Sequence, residues 1–180
     1  MATCRMMEDI KEIMVAIPDD GGDIYRRHQL LWRAMHAHQR RGSTFIFAAL
    51  SPRIMQVRGV ALDRGVPSTL CDGDLYIDLV VAKRDNQQIH PLADGDLPDW
   101  IRALLRNNGF ELLELSIENR NEVAGWKQHA TTGRSLKIRL PVASLRVQTR
   151  VVRHAQASLA WAYGISRGRR FGYGMLRRAN

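Results

Sequence analysis

The chain has 180 residues, of which 45% are hydrophobic, and a formal net charge of +9. That hydrophobic content is ordinary for a globular protein, so the charge does not come from a disordered basic tail. Its two cysteines, Cys4 and Cys71, form no motif, which argues against a disulfide framework. No apolar stretch approaches a membrane span, and the start lacks the apolar region of a signal peptide. We expect a cytoplasmic protein without a membrane partner.

The charge is unevenly distributed along the sequence. Residues 123–180 contain twelve Lys or Arg and no Asp or Glu, so the first 122 residues must sum to −3. The basic segment closes on a glycine–arginine cluster, residues 164–176. Glycines let a backbone approach a partner closely, and arginines donate to phosphate in a planar fork. A basic surface of this kind predicts a polyanionic partner, with nucleic acid as the leading candidate.

The first half predicts a strand, a helix and a hairpin in that order. Residues 10–17 are β-rich, Asp23 suits a helix N-cap, and apolar spacing predicts a helix from Ile24 that Gly42 ends. Residues 44–50 and 54–60 predict a hairpin around Ser51-Pro52. Residues 61–74 contain turn formers and no clear element, too few for a second helix and a fourth strand.

The second half predicts the order β-α-β-β-α-β. The expected elements are strands 75–82, 110–117, 136–140 with its continuation 143–147, and 172–176, and helices 98–108 and 151–163. This is the ferredoxin-like order. We therefore predict an α+β protein of two tandem ferredoxin-like (RRM-like) units, the first (residues 1–74) abbreviated and the second (residues 75–180) complete.

His28 is one candidate for chemistry. Tyr25 and His28 lie three positions apart, so they share one side of the predicted helix near its N-terminus. A histidine can move a proton at neutral pH, and a nearby phenol could orient or assist it. His28 also borders the apolar stripe of Ile24 and Leu31, where a hydrogen-bonded packing residue is common. Local sequence leaves both interpretations open.

The glycine–arginine cluster is not a dinucleotide fingerprint. Such a fingerprint follows a strand and opens a helix, whereas this cluster follows a helix. A helix C-cap with solvated arginines remains the alternative to a phosphate-binding loop. The histidines and cysteines have no ligand-like spacing, so the sequence predicts no metal site and no cofactor.

A second basic group surrounds the turn at residues 131–133. Its members are Lys127, Arg134, Lys137 and Arg139. A basic hairpin can enter a nucleic-acid groove, whereas an ordinary charged strand edge uses lysine to deter aggregation. The lack of acids nearby in sequence favours the nucleic-acid interpretation.

Two separated motifs give the chain a resemblance to the CasE-type CRISPR repeat endoribonucleases of the Cascade complex, within the RAMP group. The first is Tyr25-x-x-His28-Gln29-x-Leu31-Trp32, in the helix after the first strand. The second is Gly164-Ile165-x-x-x-Arg169-x-Phe171-Gly172-x-Gly174-Met175-Leu176, near the C-terminus. Residues 73–79 resemble the central strand of that family more loosely. The chain departs from the family pattern at Ser166, which replaces a glycine, and at Arg169, which replaces a lysine.

The resemblance implies a metal-independent endoribonuclease that cuts CRISPR precursor RNA at the base of the repeat stem-loop. The 2′-hydroxyl would attack, leaving a 2′,3′-cyclic phosphate and a 5′-hydroxyl, and the enzyme would retain the crRNA hairpin among other Cascade-like subunits. His28 would be the general acid/base and Tyr25 its partner in positioning or proton transfer. The basic hairpin and loop would bind RNA through Lys127, Arg134, Lys137, Arg139, Arg167, Arg169 and Arg170. The alternatives are a non-catalytic hairpin-binding subunit and a ribosome-associated RNA-binding domain.

Overall fold

The computed structural model describes residues 10–36, 39–85, 88–128 and 135–179. Its helices are α1 (Ile24–Met35), α2 (Leu97–Asn107) and α3 (His154–Tyr163). The strands are β1 (Ile10–Ala16), β2 (Gln39–Ala49), β3 (Ile54–Leu62), β4 (Val66–Pro67), β5 (Gly73–Val80), β6 (Ala82–Asp85), β7 (Gln88–Pro91), β8 (Phe110–Gln128), β9 (Ser135–Val151) and β10 (Arg177–Arg178). No helix in these described ranges is long and apolar enough to cross a membrane.

The first sheet has the antiparallel order β2-β3-β1-β4. Alternate residues of β1 and β3, such as Val15 and Val57, face α1, which contributes Leu31 and Met35 to the same apolar cluster. This is the strand order of a ferredoxin-like sheet. The second helix of that fold is absent, because only residues 63–65 join β3 to β4. The sequence prediction of a missing helix is confirmed. The prediction of a missing fourth strand is wrong, since Val66 and Pro67 pair with Glu12 and Lys11.

The second sheet has the antiparallel order β10-β5-β9-β8. One face is covered by α2 and α3 around a large apolar core that includes Leu79, Ile101, Leu145 and Trp161. This unit has both crossover helices and all four strands, so the predicted fold class of two tandem ferredoxin-like units with an abbreviated first one is confirmed. Its first strand, β5, begins at Gly73, two residues before the predicted start of the second unit.

Several predicted boundaries are wrong where pairing between distant strands decides them. α1 ends at Met35 rather than continuing towards Gly42, because Gln39 already pairs with Leu62. β8 and β9 are much longer than predicted and pair almost from end to end. β9 runs through Pro141, whose carbonyl accepts from the N–H of Val81 just past the end of β5. Proline has no N–H to donate, and here none is needed because the pairing with β5 has already ended.

Two further differences concern segments rich in turn formers. The polar stretch before α2 contains the hairpin β6–β7, which the sequence analysis did not predict. The predicted final strand at residues 172–176 is wrong, and the last strand is the two-residue β10. Gly172 and Gly174 both have positive φ angles, which an extended strand does not accommodate.

Arg58 joins the two units in a buried polar cluster. Its side chain is 1% exposed, and its Nη2 lies 2.7 Å from Oε1 of Glu12. Its Nη1 donates to the carbonyl of Trp161 in α3 at 2.9 Å, and its guanidinium lies 3.7 Å from the centre of the Trp161 ring. Ser68 completes the cluster by donating to Glu12 and accepting from the indole N–H of Trp161. The cluster therefore fixes α3 of the second unit against the first sheet.

Candidate active site

The N-terminus of α1 is held by Asp23. One carboxylate oxygen accepts from the backbone N–H groups of Tyr25 and Arg26, at 2.8 and 3.0 Å, as a helix N-cap does. The other oxygen accepts from the N–H of Trp126 in β8 at 3.1 Å. Asp23 therefore caps the helix of the first unit and ties it to the long hairpin of the second.

The β8–β9 hairpin touches α1 at Gly125. A Cβ atom at this position would lie 2.8 Å from Cγ1 of Ile24 and 2.9 Å from the backbone nitrogen of Tyr25, both too close for a real contact. A glycine is therefore required for the hairpin to approach the helix this closely. The contact places the far half of the hairpin next to Tyr25.

Phe171 of the glycine–arginine cluster packs against both candidate catalytic rings. Its ring centroid lies 6.1 Å from that of His28 and 6.3 Å from that of Tyr25. The Tyr25 and His28 rings are 6.5 Å apart. Phe171 is buried, whereas Tyr25 and His28 are half-buried. The two motifs that are separated by most of the sequence therefore meet in space around one aromatic side chain.

Glycine geometry presents Phe171 to the helix. Arg169–Phe171 is a single turn of 3₁₀-helix, and Gly172 follows it with φ +94°. A Cβ atom on Gly172 would lie 2.7 Å from Cε2 of Phe47, so the position is closed to any side chain. The same loop contains Ser166 at φ +64°, in the left-handed region that favours glycine. Ser166 therefore occupies a backbone conformation that favours glycine, the residue that the resemblance predicts there.

His28 has an electrostatic environment that favours its neutral form. Burial lowers the pKa of His28 below its usual 6.5, and the positive charge of Arg170 lowers this pKa further. A hydrogen bond to the backbone of Arg170 opposes these effects without reversing them. The Nδ1 atom is buried and has no hydrogen-bond partner within the described ranges. At neutral pH the ring is therefore uncharged.

A pocket of about 250 Å³ opens beside His28. Its wall is mainly aromatic and includes Trp32, Phe45 and Tyr163, and Arg169 and Arg170 line it with exposed side chains. Arg169 donates to the carbonyl of Tyr163 at 3.3 Å, which fixes the loop to the end of α3. Neither arginine has an ion-pair partner among the residues that the structure describes, so both can take an anionic ligand.

The basic residues predicted around the hairpin do not form one cluster. Trp126 lies opposite Lys137 and Ala124 opposite Arg139, so Lys137 and Arg139 share one face of the hairpin. Lys127 shares the other face with Gly125 and thus points to the side on which α1 lies. Arg134 lies outside the described residues. Arg167 is exposed in the loop before the 3₁₀ turn.

The lack of acids in the last third of the sequence is partly offset in space. Four of its arginines form ion pairs with acids that lie earlier in the chain: Arg139 with Glu122, Arg146 with Asp74, Arg150 with Glu111 and Arg177 with Asp78. Strand pairing causes this, because an antiparallel sheet sets distant residues side by side. Arg139 therefore has an acid close by in space, which weakens the nucleic-acid interpretation drawn from the lack of acids nearby in sequence. Unlike these four, Lys127, Lys137, Arg167, Arg169 and Arg170 have no ion pair in the described part of the chain.

Two residues that hold the site were not singled out for that role from sequence. Phe171 was named only as part of the C-terminal motif, although a large aromatic residue among glycines and arginines predicts a buried packing residue. Asp23 was predicted as an N-cap, but its bond to Trp126 has no local signal. In the described ranges, no group of three or more His, Cys, Asp or Glu side chains could hold a metal ion.

No protein-family model matches the chain, and no curated protein matches it. The chain is, however, similar to several solved structures. A chain described as the CRISPR endoribonuclease Cse3 bound to 19-nt RNA has a TM-score of 0.71 at 14% identity, over 95% of this chain and 98% of that one. Cse3 from Thermus thermophilus, bound to an RNA representing a pre-cleavage complex, has a TM-score of 0.71 at 16% identity, over 96% and 100%. A chain of a CRISPR RNA-guided surveillance complex has a TM-score of 0.62 at 19% identity, over 93% and 96%. At these identities the similarity shows a shared fold.

Proposed function

We propose that this protein is a CRISPR repeat-processing endoribonuclease of the CasE type. It cuts precursor RNA at the base of the repeat stem-loop without a metal ion and retains the crRNA hairpin as a subunit of a cytoplasmic Cascade-like complex. The observation that carries the proposal is the meeting of His28, Tyr25 and the glycine–arginine loop around Phe171, beside a pocket that His28, Arg169 and Arg170 line. The shared fold with RNA-bound endoribonucleases supports it independently.

The geometry supports His28 as the general acid/base. Neutral His28 takes the proton of the 2′-hydroxyl, and that oxygen forms a bond to the neighbouring phosphorus. The bond from phosphorus to the 5′-oxygen of the next nucleotide then breaks. The departing oxygen takes up one proton, either the one that His28 removed or the phenolic proton of Tyr25, which the proton held by His28 then replaces. The products are a 2′,3′-cyclic phosphate and a 5′-hydroxyl, so atoms and protons balance.

Arg169 and Arg170 are suited to the charge that develops in this reaction. The phosphorus centre gains negative charge as the 2′-oxygen attacks, and preorganised donors lower the energy of that state. Both arginines line the pocket that His28 lines, and the described residues offer them no competing carboxylate. In this proposal Arg167 and the hairpin residues Lys127, Lys137 and Arg139 contact the RNA backbone further from the cut. Arg134 is proposed for the same role on sequence alone.

The division into units of residues 1–74 and 75–180 is part of the proposal. The first unit supplies α1 with His28 and Tyr25, and the second supplies the hairpin and the loop. RNA held across both units would meet the site only when the two are docked, as the Arg58 cluster keeps them. Without this docking, His28 would lose its contact with Phe171.

The test uses the repeat RNA encoded beside the gene, incubated with the protein in a chelator. We expect a single cut at the base of the stem-loop, a cyclic phosphate on the upstream product and a 5′-hydroxyl on the downstream product. A 2′-deoxy substitution at the nucleotide before the cut should abolish cleavage while binding persists. Tight, salt-sensitive binding of the intact repeat without cleavage would instead identify a non-catalytic hairpin-binding subunit. Lack of preference for the repeat over other RNA would point to a general RNA-binding domain.

A further inference from the structure

The aromatic wall of the pocket beside His28 has no role in the proposed chemistry. Trp32 is 43% exposed, and its ring packs on Phe45 with 5.1 Å between centroids. The His28 ring meets Trp32 edge-on at 6.1 Å, so the catalytic candidate and the aromatic wall are in direct contact. Tyr163 closes another side from the end of α3. Trp32 therefore presents part of its aromatic face at the mouth of the pocket, where a planar ligand can stack on it.

The size and chemistry of this pocket fit one nucleobase. An apolar cavity of roughly 150 Å³ holds a benzene molecule, so the 250 Å³ available here leaves room for a larger heterocycle. Bases bind to proteins by stacking on aromatic side chains and on the planes of arginines, and the pocket is lined by both. Arg169 and Arg170 would hold the phosphate of the same nucleotide. An apolar peptide or a lipid tail would leave these two arginines without a partner.

We infer that the pocket formed by Trp32, Phe45, Tyr163, Arg169 and Arg170 takes the unstacked base of the nucleotide that follows the cut. This inference rests on the proposed function, because it places the scissile phosphate at His28 and the arginines. The nucleotide before the cut belongs to the stem, where its base is paired. The nucleotide after the cut is single-stranded, and its base is free to turn into the pocket. Stacking there fixes the scissile phosphate against His28 and aligns the departing oxygen.

The test removes the base or the aromatic face separately. An abasic nucleotide placed after the cut should weaken binding of a 2′-deoxy, uncleavable repeat by about 5- to 150-fold, the range for one stacked base. Trp32→Leu should weaken binding of the intact RNA by a similar factor, and Trp32→Phe by less because it keeps an aromatic face. The two changes should not add, since each removes the same contact. Trp126→Leu, at the exposed tryptophan on the hairpin, is the matched control and should leave the abasic effect intact.

Photocrosslinking provides a readout that a structural role of Trp32 would not give. A 5-iodouridine placed after the cut should crosslink to the segment from His28 to Arg33. Equal binding of intact and abasic RNA, or a crosslink only to the hairpin, would overturn the inference. Because these measurements use uncleavable RNA, they are independent of catalysis. If the protein binds in this way but never cuts, the proposed nuclease activity is contradicted and the proposed base pocket is still supported.

Discussion

The ring of Phe171 stands edge-on against the ring of His28, with 6.1 Å between their centroids. One residue belongs to the last loop and the other to the first helix. Phe171 also contacts Tyr25, so a single buried side chain sets the position of both candidate catalytic groups. The backbone of the neighbouring Arg170 contacts the imidazole and its side chain lines the pocket. The loop therefore acts on the helix through packing, hydrogen bonding and charge together.

His28→Ala should abolish cleavage and spare binding. Loss of a positioned general acid or base costs about 10²- to 10⁴-fold in rate, whereas an alanine here removes no positive charge from the neutral ring. The measurement is single-turnover cleavage of the repeat RNA in a chelator, with affinity measured on the 2′-deoxy repeat. His90→Ala changes an exposed histidine of β7 and is the matched control. Unchanged cleavage by His28→Ala would remove His28 from the mechanism.

The cleavage rate should rise with pH along a limb whose midpoint lies below 6.5. Burial lowers the pKa of His28, so the ring loses its proton at a lower pH than an exposed histidine does. Arg170→Gln removes a positive charge beside the ring and should move this midpoint upward. Single-turnover rates across the acid range measure both values. If Arg170→Gln leaves the midpoint unchanged, the charge of Arg170 does not lower the pKa of His28.

The same depressed pKa predicts how His28 affects stability. The unfolded chain binds a proton at His28 more readily than the folded chain does, so folding is disfavoured as the pH falls through 6.5. His28→Gln keeps a polar group and removes this titration. The melting temperature of the parent should therefore drop more steeply than that of the variant over the same acid range. Parallel melting curves would contradict the depressed pKa.

Arg169→Ala combined with Arg170→Ala should weaken RNA binding and flatten its salt dependence. Each lost phosphate contact lowers the slope of log affinity against log salt by about 1, so the double variant should lose about 2 if both arginines contact phosphate. The matched control is Arg150→Ala, because Arg150 is paired with Glu111 at the far end of the hairpin. If the slope of log affinity against log salt equals that of the parent, both arginines belong to a solvated turn and do not contact phosphate.

Asp23→Asn should separate the two functions of Asp23. An asparagine caps a helix nearly as well as an aspartate, but its amide NH₂ cannot accept from the N–H of Trp126. We expect faster hydrogen exchange at Trp126 and slower cleavage, with little change in stability. Asp23→Ala should in addition cost about 0.5–2 kcal/mol of stability through the lost cap. If Asp23→Asn exchanges and cleaves like the parent, the hairpin bond does not position the site.

Arg58→Ala should strongly destabilise the protein. Removing one partner of a buried ion pair costs about 3–5 kcal/mol, and a value near the lower limit is expected because the Glu12 side chain is 21% exposed. Denaturant unfolding measures the loss. The double variant Glu12→Gln with Arg58→Met is the control and should recover part of it, because no charge is then left unpaired. A double variant as unstable as Arg58→Ala would show that the Trp161 contacts dominate.

Glu12 adds an acid dependence to the same cluster. Burial alone would raise the pKa of Glu12, but Arg58, Ser68 and Gln56 together lower it below its usual 4.5. The stability that Glu12 contributes is complete above 4.5 and is lost as the pH falls through its folded pKa. The Glu12→Gln variant should therefore show a shallower acid transition than the parent.

Local chemistry in the sequence was sufficient for the helix that carries the site. Asp23 accepts from the N–H groups two and three positions later, so the start of α1 is encoded within four residues. The spacing of Ile24, Leu31 and Met35 likewise predicted which face of α1 is buried. The backbone of the last loop was not predicted in this way, because the sequence suggested a strand at residues 172–176 where Gly172 and Gly174 have positive φ angles.

Only the tertiary structure decided which residues meet. The lengths of β8 and β9 depend on their mutual pairing, and this pairing also brings Glu122 to Arg139 and so reduces the basic surface that the sequence suggested. The contact of Phe171 with His28 depends on how two sheets dock, which no local window of sequence encodes. Local propensities act over a few residues, whereas contacts between distant segments form only when a whole core is packed. The sequence by itself therefore determined the elements and the candidate groups, and the packing of the two units assembled them into one site.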